Sequence, residues 1–314
     1  MPKVAVLDDY QRVALDFGDW AGLGAEVEVF RDHMADDDAV VKRLAPFEIV
    51  VAMRERTPFS RARLARLPNL RLLVTTGMRN AAIDLEAARE RGVTVCGTGS
   101  LGPPTAELAW ALILALTRHV CAEDRRIRDG GWQHTIGPEL AGRTLGIVGL
   151  GRLGARMARI ARAFEMEPIA WSPNLTPERA AEAGAEPVGK DALFRRADVV
   201  TIHLVLSDRT RGIVGAPELA AMRPTAFLVN TSRGPIVDEP ALLDALNGGR
   251  IAGAALDVYD IEPLPADHPL RRASNTVLTP HIGYVSTGTY EVFYRDAVED
   301  IARWLAGDPV RVLA

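Results

Sequence analysis

Gly149-Leu150-Gly151-Arg152-Leu153-Gly154 is the stretch of this chain that decides its fold. It is a G-x-G-x-x-G, and its flanks give it meaning. Thr144-Leu145-Gly146-Ile147-Val148 before it is a short apolar run of strand composition. Ala155 to Phe164 after it carries apolar residues at helical spacing. Strand, glycine turn and helix in that order form the context that a dinucleotide site requires. Gly149 permits the tight turn, Gly151 lets backbone amides approach a pyrophosphate, and Gly154 lets helix and strand pack closely. Arg152 and Leu153 stand at the helix start, where the dipole and free N–H groups favour phosphate. In a chain with 27 glycines, the bare motif also fits an ordinary tight strand-to-helix turn. The flanking elements favour the nucleotide.

The bulk properties are those of a water-soluble globular protein. The chain has 314 residues, enough for two domains, and is 48% apolar and 25% charged. Net charge is −4, with no basic or acidic block, which argues against nucleic acid or a membrane surface as partner. Met1-Pro2-Lys3 leads straight into Val4-Ala5-Val6-Leu7, which reads as a first strand rather than a leader. The apolar run Leu108 to Leu116 is too short to span a bilayer and reads as a buried helix. Cys96 and Cys121, both in apolar surroundings, form no disulfide framework, so a reduced, cytoplasmic protein is expected. Six histidines include no H-x-x-x-H pair, and no metal is expected.

Strand-like and helix-like segments alternate along the chain, which predicts parallel sheets covered by helices. The first series has strand candidates at 3–7, 26–30, 49–52, 72–75 and 93–96, with helices such as 36–44 and 84–91. Gly97 to Pro104 breaks the pattern and is the best linker candidate. Pro103-Pro104-Thr105 then opens the apolar helix, with Thr105 a candidate N-cap. The second series has six strand candidates, at 144–148, 168–171, 199–203, 227–230, 252–256 and 277–279. That number completes a doubly wound nucleotide domain. One long helix, 287–305, closes the chain.

Three groups lie at or just past predicted strand ends, where doubly wound sheets place ligands. In Asn230-Thr231-Ser232-Arg233-Gly234, the arginine is suited to a carboxylate or a polarised carbonyl. Taken singly, it also fits a surface turn. In Leu256 to Pro265, carboxylates including Asp257 and Glu262 leave a strand. One of them can orient a histidine, or the loop is merely solvated. In Thr279-Pro280-His281-Ile282-Gly283, the histidine is a candidate proton donor or a hydrogen-bonded structural residue. All three after a dinucleotide turn are hard to explain as packing.

With these motifs in hand, the chain resembles the D-isomer-specific 2-hydroxyacid dehydrogenases, a family that includes glyoxylate/hydroxypyruvate reductases and phosphoglycerate dehydrogenase. The resemblance covers essentially the whole chain, through 142–154, 230–234, 257–263 and 279–283. It implies an α/β fold of two doubly wound domains. A Rossmann cofactor domain, 101–284, is inserted into a flavodoxin-like substrate domain, 1–100 plus 285–314. It implies Arg233, Glu262 and His281 as catalytic residues. It extends the cofactor set to Gly149, Gly151, Arg152, Leu153, Gly154, Ser172, Thr105, Thr231 and Asp257. Thr75 to Asp84 resembles the family's substrate-carboxylate loop, with backbone N–H groups near Gly77, Met78 and Arg79 holding the acid. Arg79 stands where the usual pattern has a second glycine. Arg54 is a further candidate for the carboxylate, or forms a surface ion pair.

Cofactor choice rests on one departure. The second strand of a nucleotide fold usually ends in Asp or Glu, which binds the ribose 2′-hydroxyl of NAD and repels the 2′-phosphate of NADP. Here the position is Ser172, in Trp171-Ser172-Pro173-Asn174, and no arginine follows at once. Arg152 and Arg179 are the nearest cations. NAD or NADP is expected, with NADP favoured. His203 reads as structural, and His33, His119, His134 and His268 show no partner in the sequence.

The resemblance implies hydride transfer between a nicotinamide and a 2-oxo/2-hydroxy acid of D configuration, glyoxylate/hydroxypyruvate-like or 3-phosphoglycerate-like. A homodimer formed through the cofactor domain is expected, with 108–118 a candidate contributor. The alternative is a nucleotide-sensing interaction protein of the C-terminal-binding-protein, co-repressor type. That type shares the fold and the catalytic residues, so turnover decides between them.

Overall fold

The glycine turn joins a strand, Thr144–Val148, to a helix, Arg152–Ala163, in a computed structural model that describes residues 1–314. The chain divides into two units, Met1–Leu101 with Val285–Ala314, and Gly102–Tyr284. Both are α/β with fully parallel sheets.

The first unit carries β1 (Lys3–Val6), β2 (Glu26–Val29), β3 (Ile49–Ala52), β4 (Leu72–Thr75) and β5 (Thr94–Gly97), in the order β2-β1-β3-β4-β5. This is the flavodoxin-like order. The central β3 and β4 are buried at every residue, as strands covered on both faces must be. The edge strand β2 alternates Glu26, Val27, Glu28 and Val29. Helices start where side chains cap them. Asp36, Asp84 and Ser286 each accept from a backbone N–H in the first turn that follows. The helix Thr287–Leu305 packs on β4 and β5. The residues after it pair with β5 instead of ending free. Gly97 N donates to Arg311 O at 3.0 Å and Leu313 N to Val95 O at 2.7 Å, so the open edge of the sheet is covered.

The second unit carries β6 (Thr144–Val148), β7 (Glu167–Trp171), β8 (Glu186–Pro187), β9 (Val199–Ile202), β10 (Phe227–Asn230), β11 (Gly253–Leu256) and β12 (Thr276–Leu278). Their order is β12-β11-β10-β9-β6-β7-β8. The chain winds from β6 out to β8, then restarts at β9 on the other side of β6. The switch point of the sheet therefore lies at the carboxyl ends of β6 and β9, the usual ligand crevice of such folds. The seventh strand, β8, was not expected. Two residues, one of them proline, carry no periodicity, and proline is tolerated only at an edge. Alternate residues feed opposite cores: Val148, Leu228 and Ala254 on one face, Ile147, Val229 and Ala255 on the other.

The apolar run 108–116 belongs to the helix Pro103–Thr117, which buries Ala106, Ala109, Trp110, Ile113 and Leu116. No single helix is long and apolar enough to cross a membrane. Two expectations need correction. Thr105 is not the N-cap; Pro103 takes the first helical position, where its missing N–H costs nothing, and Gly102 precedes it. Cys121 is exposed, on a helix, Val120–Arg128, that buries none of its residues. Cys96 is buried as expected, and burial pushes its thiol up to about 12.

Candidate active site

The three glycines of the turn do different work. Gly149 has φ +105°, and a Cβ there would lie 2.7 Å from the His203 carbonyl. A Cβ on Gly154 would overlap the Gly149 carbonyl oxygen. Both positions are fixed by the protein's own packing. Gly151 is different: a Cβ there meets nothing within 4 Å. As N-cap of Arg152–Ala163 it offers no side-chain acceptor, so the first-turn amides are left for a ligand or water. Leu153 is partly buried against the core behind the turn, while Arg152 is exposed.

Beside the turn lies a cavity of about 290 Å³, lined by Gly149 to Gly151, Ser172, Asn174, Arg179, His203 and Arg209 among others. Ser172 follows β7, and its Oγ accepts from Leu150 N at 2.7 Å. His203 follows β9, with Nε2 2.9 Å from Thr201 Oγ1. Its Nδ1 is buried without a partner, and burial lowers the imidazole to about 4, which keeps it neutral at pH 7. Thr231 Oγ1, just past β10, is likewise buried and unpartnered. Buried polar atoms normally find partners. The His203 atom beside an open glycine cradle at the switch point, and the Thr231 hydroxyl at the end of a strand two places along the sheet, fit a dinucleotide. Arg209 was missed in the sequence because it lies seven residues past β9; only the return of β9 beside β6 brings its loop to the cavity.

Arg233 follows β10, Asp257 to Glu262 follow β11, and Thr279 to Gly283 follow β12. These strands are neighbours, so parallel winding carries all three motifs to one edge. Asp257 is fully buried and ties them together. Its Oδ1 accepts from Thr279 Oγ1 at 2.7 Å and Ile282 N at 2.8 Å, and its Oδ2 from Gly283 N at 2.8 Å. Burial raises the carboxyl above its ordinary range, against the pull of these bonds. Both oxygens of this proposed cofactor residue are thus engaged in holding the His281 turn. His281 has φ +53°, a left-handed conformation that costs a non-glycine residue energy and needs such support. Thr105 adds to it, donating from Oγ1 to Gly283 O at 3.0 Å.

His281 Nδ1 lies 2.5 Å from Glu262 Oε2. Glu262 Oε1 accepts from Tyr259 N at 2.9 Å, so the carboxylate is itself fixed. Tyr259 OH donates to Thr279 O at 3.0 Å, binding the two loops. With Nδ1 engaged, Nε2 is the imidazole nitrogen left for chemistry. The Arg233 turn is held by Asn230 Nδ2 donating to Arg233 O at 2.9 Å. A Cβ on Gly234 would overlap the Tyr259 backbone, so this turn lies directly against the loop that carries Glu262.

The four remaining candidates lie in the first unit, past β3 and β4. Arg54 has φ +51°; its N donates to Thr76 Oγ1 at 2.9 Å and its Nη1 to Thr76 O at 3.0 Å. Gly77 has φ +90°, and a Cβ there would overlap the Arg54 guanidinium. The Gly77 N–H is donated to Thr98 Oγ1 at 2.8 Å. Gly77 is therefore a corrected expectation: it makes room for Arg54, and the amides of Met78 and Arg79 remain for an acid. Both of those residues are solvent-accessible. Elsewhere the fold supplies partners that the sequence did not show: His33 to Asp8, His134 to Glu123 and His268 to Glu239.

A doubly wound sheet with a glycine turn at its switch point and a fixed histidine–carboxylate pair on the same edge has the layout of a dinucleotide site with a candidate proton donor. The comparisons with known proteins narrow the class. Residues 110–283 match the family described as D-isomer specific 2-hydroxyacid dehydrogenase, NAD binding domain. The chain is 34% identical over 312 residues to a D-3-phosphoglycerate dehydrogenase of Archaeoglobus fulgidus, covering 98% of this chain and 58% of that protein. It is 41% identical over 254 residues to a glyoxylate reductase of Aeropyrum pernix, covering 78% and 76%. The crystal structure of a putative D-3-phosphoglycerate dehydrogenase oxidoreductase from Ralstonia solanacearum superposes with a TM-score of 0.94 at 38% identity, covering 100% of this chain and 97% of that one. The chain belongs to the D-isomer-specific 2-hydroxyacid dehydrogenase family. It spans little more than half the length of the phosphoglycerate dehydrogenase relative.

Proposed function

We propose that this protein reduces a small 2-oxo acid to the D-2-hydroxy acid, and catalyses the reverse oxidation, with a nicotinamide dinucleotide. The observation that carries this is the His281–Glu262 pair, 2.5 Å apart, on the same sheet edge as the glycine turn. A nicotinamide bound at that turn supplies the hydride. His281 gives a proton from Nε2 to the substrate oxygen as that oxygen gains charge, and Glu262 holds the ring in place. Arg233 pairs with the substrate's carboxylate and carbonyl and stabilises the developing negative charge. Arg54 and the amides of Met78 and Arg79 are the candidate carboxylate anchors of the first unit. Asp257 and Thr105 act through the His281 turn rather than on the cofactor, and Thr231 offers a free hydroxyl to it.

The relatives named glyoxylate reductase and D-3-phosphoglycerate dehydrogenase support a substrate of glyoxylate/hydroxypyruvate or 3-phosphoglycerate type. The absence of a carboxylate at Ser172 supports NADP(H) over NAD(H). We also propose a cytoplasmic homodimer. The exposed Val120, Ile127, Trp132 and Ile136 of the second unit support a second copy as partner, rather than residues 108–118, most of which are core. Sedimentation reports it; a monomer at micromolar concentration overturns it.

The test of the activity is a panel of glyoxylate, hydroxypyruvate, pyruvate and phosphohydroxypyruvate, each with NADH and NADPH. We expect turnover on at least one small 2-oxo acid. No turnover on any would favour the nucleotide-sensing alternative.

A further inference from the structure

The cavity beside the glycine turn is lined by two arginines and by no carboxylate. Arg179 enters from the helix Pro177–Glu182 and Arg209 from the loop after β9. Neither side chain forms an ion pair, whereas arginines elsewhere on this surface, such as Arg43, Arg66 and Arg196, are matched to acids. The other ionisable group at the cavity, His203, is neutral at pH 7 because burial lowers it to about 4. The lining therefore carries two uncompensated positive charges. Both line the cavity that also borders Ser172 and Asn174, just past β7, where a nucleotide fold places the adenosine ribose.

Donors complete the arrangement. Ser172 Oγ uses its acceptor side on Leu150 N, at 2.7 Å, which leaves its hydrogen free to donate outward. Asn174, on the same wall, offers an amide. Guanidinium forks match phosphate oxygens in pairs, and charge-assisted bonds are roughly twice as strong as neutral ones. A ribose hydroxyl would leave both charges unmatched.

We propose that Arg179 and Arg209 clamp the 2′-phosphate of a phosphorylated dinucleotide and set the cofactor preference of this site. The assignment rests on the dinucleotide reading of the turn. Arg209 is the decisive member, because its loop follows β9, across the switch point from β7, and no carboxylate lines the cavity with it.

The probes are 2′,5′-ADP and 5′-AMP, which differ only in the 2′-phosphate, measured by calorimetry with NADH as a third ligand. Wild-type protein should bind 2′,5′-ADP at least about tenfold more tightly than 5′-AMP. Arg209→Ala and Arg179→Ala should each lower that ratio, and the double variant should bring it close to one. Melting curves confirm that each variant is folded; both positions are exposed. Ser172→Asp should invert the ratio, since a carboxylate repels the phosphate and accepts from a hydroxyl. A wild-type ratio near one overturns the proposal but leaves the dinucleotide site standing, provided NADH binds. A high ratio that survives the double substitution overturns the assignment to these arginines. Failure of all three ligands to bind overturns both the proposal and the reading of the turn beneath it.

Discussion

Replacing His281 with alanine is expected to lower kcat by about 10²–10⁴, the range for loss of a positioned general acid. Affinity for the dinucleotide should change little, because the cofactor turn lies at β6 and His281 follows β12, four strands away in the sheet. The expectation follows from geometry. His281 is held in a left-handed conformation by a fully buried aspartate, and its Nδ1 is taken by Glu262. Glu262 is itself tied to Tyr259 N, so the ring is held with its Nε2 left for chemistry. Glu262→Gln should keep the hydrogen bond but remove the charge, and so fall between wild type and His281→Ala in kcat with KM nearly unchanged. Turnover of His281→Ala within tenfold of wild type would contradict the assignment.

Gly151→Val is expected to abolish dinucleotide binding while leaving the protein folded. A side chain at this position meets open space within the protein, so its obstacle is a ligand phosphate. The neighbouring glycines supply the contrast. Gly154→Ala drives a Cβ into the Gly149 carbonyl and should cost stability, about 1–3 kcal/mol as for other overpacked sites. Calorimetric titration with NADPH and a melting curve separate the two. Retained affinity in Gly151→Val would mean that the turn serves packing alone.

The two parallel sheets were legible because buried central strands read as unbroken apolar runs: Ile49–Ala52, Leu72–Thr75 and Phe227–Asn230 stand where the composition places them. The edges were less so. Glu186–Pro187 is too short to show a period, and residues 311–314 join β5 through backbone bonds that no side-chain pattern announces. The motifs after β10, β11 and β12 were legible as strand-end loops, and the strand order alone brings them to one edge. The division of labour within them was not. Asp257 looked like a cofactor ligand, yet both its oxygens serve the His281 turn, and Gly77 looked like an amide donor, yet Thr98 takes its N–H. Arg209 shows the same limit. A cation well beyond a strand end acquires meaning only when a crossover returns its loop to another strand.

The proposed reaction forms D-2-hydroxy acids by hydride transfer. The configuration of the product tests it most directly. Hydroxypyruvate should be reduced with NADPH or NADH and the glycerate resolved by chiral chromatography. D-glycerate alone is expected, lost together with activity in His281→Ala. An L product, a racemate, or D product formed undiminished without His281 would contradict it.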